Sequence, residues 1–117
     1  MAYRAVHRFA RISPRKVRPL ANLIRGKYAD EALDILRYQP HRGARMLEKV
    51  IQSALGNAQD PENPQNRGRT VNIDRLVVSD ARIDGGPMFK RIRPRARGMA
   101  FMVLKRMSHI QVTLEEI

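Results

Sequence analysis

Lys90, Arg91, Arg93, Arg95 and Arg97 fall within residues 84 to 98, a segment reading Asp-Gly-Gly-Pro-Met-Phe-Lys-Arg-Ile-Arg-Pro-Arg-Ala-Arg-Gly with one acid against those five cations. The chemistry open to such a run is neutralisation of phosphate: Arg offers a planar fork for bidentate contact and Lys a mobile point charge. The segment lies between two β-like stretches. As a hairpin connection it far exceeds the usual two to about five residues, and long ordered connections are usually functional. Other chemistries find little support. His7, His41 and His109 lack metal-ligand spacing, and no H-E-x-x-H, P-loop or nucleophile elbow occurs. The chain has no cysteine, so thiolate ligands and disulfides are excluded. An enzyme is not expected, nor a metal or cofactor. Asp84-Gly85-Gly86-Pro87 could present backbone N–H groups to a phosphate, but any sharp turn uses the same residues.

Several elements must position these cations. In residues 2 to 11, Tyr3, Ala5 and Phe9 take odd positions and Arg4 and Arg8 even ones, which predicts a strand with one basic face. Ser13 before Pro14 predicts a helix start with a capping hydroxyl. Val17, Leu20, Ala21 and Ile24 form its apolar stripe, and Gly26 ends it. Pro19 predicts a kink or a distorted first turn. A short helix is expected over about 30 to 38, burying Ala32, Leu33 and Leu36. A longer one is expected over about 41 to 58, with Leu47, Val50, Ile51, Ala54 and Ala58 at helical spacing. Residues 57 to 69, rich in Asn with two Pro and one Gly, read as a solvent loop. Two long strands follow, roughly 71 to 84 and 97 to 114. In the second, Ala100, Met102, Leu104, Ile110, Val112 and Leu114 share one parity, interrupted by Arg106 and Ser108, while Lys105 and His109 take the other.

The fold class is thus α+β: three helices packed on a small antiparallel sheet, with a long protruding β-hairpin. One domain over residues 1 to 117 is expected, its arm running from about 80 to 108. Arms of eight to ten residues beyond the core would reach roughly 25 to 30 Å at about 3.3 Å per residue. Read as rich in Arg and poor in large apolar residues, the arms cannot bury themselves, and a lone two-stranded ribbon is marginal in water. An anionic partner is required.

At 117 residues, 43% hydrophobic and 29% charged, the chain can bury about two-thirds of its unfolded surface in one core. Its net charge of +12 is segregated. Residues 1 to 29 hold eight cations and no acid, 30 to 81 hold seven cations and eight acids, and 82 to 106 hold eight cations and one acid. Solubility alone asks for interspersed signs, so two basic blocks around a neutral middle point to a polyanion. With three Tyr, three Phe and no Trp, stacking on single-stranded bases is not expected as the main device. The longest apolar run, residues 99 to 104, is far shorter than a membrane span, so neither a membrane span nor a secretory signal is expected. Helical caps and periodicity in 11 to 26 argue against reading the Arg-rich start as a transit peptide.

On the first helix Arg15, Lys16, Arg18 and Arg25 crowd the solvent side near an N-terminus that itself attracts anions. A helix-turn-helix over 13 to 38 is disfavoured, because its recognition helix would carry Asp30, Glu31 and Asp34 against Arg37 alone. A generic DNA-compacting protein shares the charge but would not discriminate duplex DNA from structured RNA. A cationic membrane-seeking protein would need amphipathic helices of another kind.

Arg11-Ile-Ser-Pro-Arg-Lys-Val-Arg18, Ile24-Arg-Gly26, Ala32-Leu33, Ser53-Ala54 with Asn57-Ala58, Gly86-Pro87, Lys90-Arg91, Pro94-Arg-Ala-Arg-Gly98, and Lys105-Arg106 with Ser108-His109-Ile110 occur in this order. Together they resemble the large ribosomal subunit protein twenty-two family, bacterial or organellar type, over nearly the whole chain. The resemblance implies a structural constituent of the large subunit, in a cytoplasmic or organellar ribosome. Such a protein binds several domains of large-subunit ribosomal RNA, bridges them during assembly and lines the nascent-peptide exit tunnel. Its implied partners are that RNA, neighbouring ribosomal proteins and the nascent polypeptide, with no membrane and no homo-oligomer. Carried over by residue, Met88, Phe89, Lys90 and Arg91 would lie at the hairpin tip. Arg93, Arg95 and Arg97 would form the RNA-gripping arm, with Lys105, Arg106, Ser108 and His109 further down. Arg11, Ser13, Arg15, Lys16 and Arg18, with Arg25 from the helix face, would form the globular contact. Three features depart from the family: Met99 where a basic residue is common, Pro19 in place of an aliphatic, and a longer loop over 60 to 69.

Overall fold

The computed structural model describes residues 2–61, 63, 66 and 71–117. Strand β1 (Ala2–Ala10) is followed by helices α1 (Pro14–Ile24), α2 (Ala29–Arg37) and α3 (Arg42–Gln59), then by strands β2 (Leu76–Pro94) and β3 (Ala100–Glu116). The strands form one antiparallel sheet in the order β1-β3-β2. A 3₁₀ turn at Ile73–Arg75 precedes β2, so that strand begins later than residue 71.

The helices cover one sheet face. Their stripes are those that 3.6-residue periodicity selects: Val17, Leu20, Ala21 and Ile24 on α1, and Leu47, Val50, Ile51, Ala54 and Ala58 on α3. They meet Tyr3 and Ala5 of β1, Leu76, Val78, Ala81 and Ile83 of β2, and Ile110, Val112 and Leu114 of β3. Each large aliphatic buried here contributes about 1.5–3 kcal/mol. On α2 the buried set is Ala29, Ala32 and Leu36, while Leu33 is half-buried against the core. Arg45 closes the end of α2, donating to the carbonyls of Leu36 at 2.9 Å, Arg37 at 3.1 Å, and Gln39. The last carbonyls of a helix lack intrahelical partners, and here the Leu36 carbonyl also accepts from Gln39 N–H at 3.1 Å. Helix α1 continues through Pro19, and Ser13 occupies its N-cap without a side-chain hydrogen bond, contrary to the expected capping role.

The parity expected for β1 fails at its end. A register shift between His7 and Ala10 turns Phe9 out to solvent and Ala10 into the core. Phe9 takes φ +58°, and its N–H donates to His109 Nδ1 at 3.1 Å while the two rings meet edge to face at 5.0 Å. On β3 the core parity holds from Ser108 to Leu114, but Met102 and Leu104 lie beyond the helices and are exposed. Ser108 belongs to the core row: it is fully buried, its hydroxyl donating to the Ile12 carbonyl at 2.6 Å.

Edge strand β2 is covered rather than open. Gly26, at φ +78°, ends α1 and donates its N–H to the Val78 carbonyl, and Val78 N–H returns to the Lys27 carbonyl, both at 2.9 Å. Farther along, Arg25 reaches the Ala81 carbonyl (3.0 Å from Nε) and Arg18 the Ile83 carbonyl (3.3 Å). One side of α1 thereby satisfies acceptors that an edge would otherwise offer to another chain.

Residues 57 to 59 belong to α3, and Asn66 is buried, so the stretch expected as a solvent loop has a structural role; its other residues beyond Pro61, Asn63 excepted, lie outside the described residues. Asn66 Nδ2 donates to the carbonyls of Ala58 and Asp60 at 2.9 Å and of Asn57 at 3.3 Å, while its Oδ1 accepts from the Tyr3 hydroxyl. One amide therefore plugs the C-terminus of α3 and ties it to β1. Asn66→Ala is expected to cost about 2–4 kcal/mol, seen as a lower urea midpoint with an unchanged slope. Asn66→Asp, which keeps the acceptor for Tyr3 but loses the donors, should fall nearly as far. A wild-type midpoint for both variants would rule the plug out.

Candidate nucleic-acid interface

Beyond Ile83 and Met107 the two long strands leave the body and continue as a ribbon, giving a molecule 68 Å along its longest axis and 15 Å along its shortest. The segment expected as a loop from 84 to 98 is therefore mostly strand. Pairing resumes at Met88↔Arg106 after an irregularity over Gly85/Met88 and persists to Pro94↔Ala100. Seven residues at about 3.3 Å carry the ribbon roughly 23 Å past that bulge.

Alternation across the ribbon sorts its side chains. Phe89, Arg91 and Arg93 stand opposite Lys105, Val103 and Phe101 on one face. Met88, Lys90 and Ile92 stand opposite Arg106, Leu104 and Met102 on the other. The first face interleaves cations with aromatics, and the Arg91 guanidinium lies 5.3 Å from the centre of the Phe89 ring. The second is largely apolar, with Ile92 68% and Met102 63% exposed. An arm poor in large apolar residues is thus not what the chain builds: such residues are present on both faces, uncovered.

The turn comprises residues 95 to 99. Arg95 N–H donates to the Met99 carbonyl at 2.7 Å, and Arg97 and Gly98 both take left-handed backbone, at φ +65° and +68°. Arg95 and Arg97 accordingly sit at the extremity. Met88, Phe89, Lys90 and Arg91, which the resemblance places at the tip, lie instead on the arm next to the bulge, because the paired strands run on past them to Pro94.

Where ribbon and body meet, a groove of about 1330 Å³ opens. Arg11, Ser13, Arg15 and Lys16 line one wall, His41 and Arg42 an end, and Phe89, Arg91, Lys105 and Arg106 the other wall. Among the described residues, no acidic side chain lines it. Helices α1 and α3 both begin at this groove, so their partial positive N-termini add to the side-chain field. Arg42 is held there by donating to the Arg11 carbonyl. Arg42 and His41 were invisible to motif reading, since only tertiary packing brings the start of α3 beside the start of α1.

The remaining sites divide by what their polar atoms already do. Arg93 stands on the ribbon and is exposed. Arg18 and Arg25 lie on the clasp over β2, outside the groove lining, although each remains partly exposed. Ser108 does not reach the surface, because its hydroxyl is buried against Ile12, so it cannot serve as an RNA contact in this fold. His109, half-buried and engaged at Nδ1 by Phe9, retains only Nε2 for an outside partner.

Comparison with known proteins agrees with this geometry. The model of the family described as Ribosomal protein L22p/L17e matches residues 5–115. The chain is 66% identical to large ribosomal subunit protein uL22 of Rhodopirellula baltica, over 98% of this chain and 95% of that one. It is 50% identical to the uL22 of Caldicellulosiruptor saccharolyticus, over 96% and 86% of the two chains, and 45% identical to that of Maridesulfovibrio salexigens over the full length of both. The match takes in the body, the groove and the whole ribbon, and the chain belongs to the ribosomal protein L22p/L17e family.

Proposed function

We propose that the chain is a structural, non-enzymatic constituent of the large ribosomal subunit, acting as one RNA-binding domain that holds separate segments of ribosomal RNA together. The observation that carries this reading is the placement of cations on two supports, a groove on the body with no acid among its described lining residues and a ribbon projecting from it. Fields of exposed charges are screened beyond about 8–10 Å in physiological salt. A ribbon longer than that acts on phosphates the body cannot influence. Lys90, Arg91, Arg93, Arg95 and Arg97 on the arm, with Arg11, Arg15, Lys16, Lys105 and Arg106 at the groove, would neutralise backbones that otherwise repel one another. Backbone contact positions without specifying sequence, and structured RNA is recognised largely by shape.

Family membership supports the rest of the reading: assembly into the cytoplasmic or organellar ribosome, contact with neighbouring ribosomal proteins, and an arm that lines the path of the nascent polypeptide. In that setting Arg95, Arg97 and Met99 reach farthest, and Met88 to Arg91 brace the root of the arm. Arg18 and Arg25 contribute charge while aligning α1 with β2.

Binding to large-subunit ribosomal RNA should exceed binding to duplex DNA of equal length. Changing the five arm cations to alanine should shallow the log–log salt slope by up to about 3.5–4.5, at roughly 0.7–0.9 per lost phosphate contact. Equal affinity for both polymers would reduce the protein to a nonspecific polycation. Because a two-stranded ribbon is marginal alone, amide exchange over residues 88 to 106 should be fast in the free protein and slow once RNA is bound. Unchanged protection would contradict ordering of the arm by its partner.

A further inference from the structure

The groove at the root of the arm has more than charge. Besides its cations it is lined by apolar residues from separate elements, Leu20 and Leu23 of α1, Phe89 of β2, and Leu104 and Met107 of β3, with Phe89 and Leu104 on opposite faces of the ribbon where it leaves the body. Three of these remain substantially open, Leu23 at 45%, Phe89 at 46% and Leu104 at 39% exposure. A phosphate backbone needs only the cations, and against the apolar residues it would lose its own hydration with no hydrogen bond in return. An occupant that satisfies both must be anionic at its edge and planar or apolar within.

We propose that this groove receives an unpaired nucleotide of ribosomal RNA, its base against Phe89 and its phosphate among the rim cations. The proposal rests on the RNA-binding reading above and names the part of the RNA that the site takes. A paired helix keeps its bases inside and offers only edges and backbone, whereas looped or bulged nucleotides can be splayed out and stacked on aromatic rings. The Arg91 guanidinium lies over the Phe89 ring at 5.3 Å and both residues line the groove, so a base stacked on the other side of the ring would complete an arginine–ring–base sandwich. The absence of acids among the described lining residues favours an anionic occupant over a basic protein segment. An acidic peptide with an apolar side chain would suit the same chemistry, but the charge density of the rim fits a polyphosphate chain better.

The test exploits the absence of tryptophan from the chain. Phe89→Trp places a single fluorophore in the groove of the full-length protein. Its emission should be quenched when large-subunit ribosomal RNA binds, and not when inorganic polyphosphate, which has no bases, fills the rim. In parallel, Phe89→Leu should weaken binding to that RNA by about 5- to 100-fold, with the salt slope unchanged because no charge is lost, while Phe89→Trp retains affinity. Phe89 lies outside the core, so neither variant should alter the thermal midpoint. RNA binding without quenching, equal quenching by polyphosphate, or a Phe89→Leu variant as tight as wild type would each overturn base insertion, the last pointing to a peptide occupant. If wild-type protein shows no preference for ribosomal RNA, it is the underlying RNA-binding reading that fails.

Discussion

The ladder between β2 and β3 is the constraint on which the rest depends. The antiparallel ladder that sets Val78 opposite Leu114 and, after a register shift at Val78/Asp80, Ile83 opposite Ile110 in the core continues, past a second shift at Gly85/Met88, to Pro94 opposite Ala100 at the end of the arm. Inside the body those strands are held by burial. Outside it only the inter-strand hydrogen bonds remain. The bulge at Gly85/Met88 divides the two regimes, and Gly86 suits it for a local reason: a Cβ at this position would lie 3.3 Å from the Met107 backbone, a tight contact that a side chain would have to press apart. The direction in which the arm leaves is therefore set by a close backbone approach at the edge of the core.

A second consequence concerns which cations are free. A net charge of +12 invites the assumption that every Arg faces a phosphate, yet several are engaged within the fold. Arg45 closes α2, Arg42 grips the Arg11 carbonyl, and Arg18 and Arg25 cover the carbonyls of β2. Each guanidinium has five N–H donors and keeps its charge whatever it bonds, so one residue can satisfy a carbonyl and still raise the local potential. Lysine, with three donors on a flexible stem, suits the clasp less well.

Much of this fold was legible because helices and covered strands bury a face, and burial leaves a period in the sequence. The stripes of α1 and α3 and the Ser108 to Leu114 row follow that period. The arm left no such trace, since neither of its faces meets the core, and Gly-Gly-Pro together with Pro94 resembled turn chemistry. Two prolines and two glycines thus made a paired ribbon look like a loop. Phe9 was lost to a bulge that shifts parity by one residue. The cationic runs were legible as phosphate-binding chemistry, but the groove was not, because residues near 11, 42, 89 and 105 converge only in three dimensions.

The same distinction explains how Met99 and Pro19, the two positions at which the resemblance implied a departure, fit the fold. At the turn, position 99 supplies a carbonyl to Arg95 N–H, and left-handed backbone is taken by Arg97 and Gly98. What the turn requires of residue 99 is main chain, so a methionine satisfies the geometry while Arg95 and Arg97 carry the charge of the extremity. Pro19 follows a related logic. It removes one intrahelical donor, which orphans the Arg15 carbonyl, but α1 continues through it with Val17, Leu20, Ala21 and Ile24 still buried and Arg18 and Arg25 still seated on β2. Packing on one side and the arginine clasp on another hold the helix at the point where its own hydrogen bonding is interrupted.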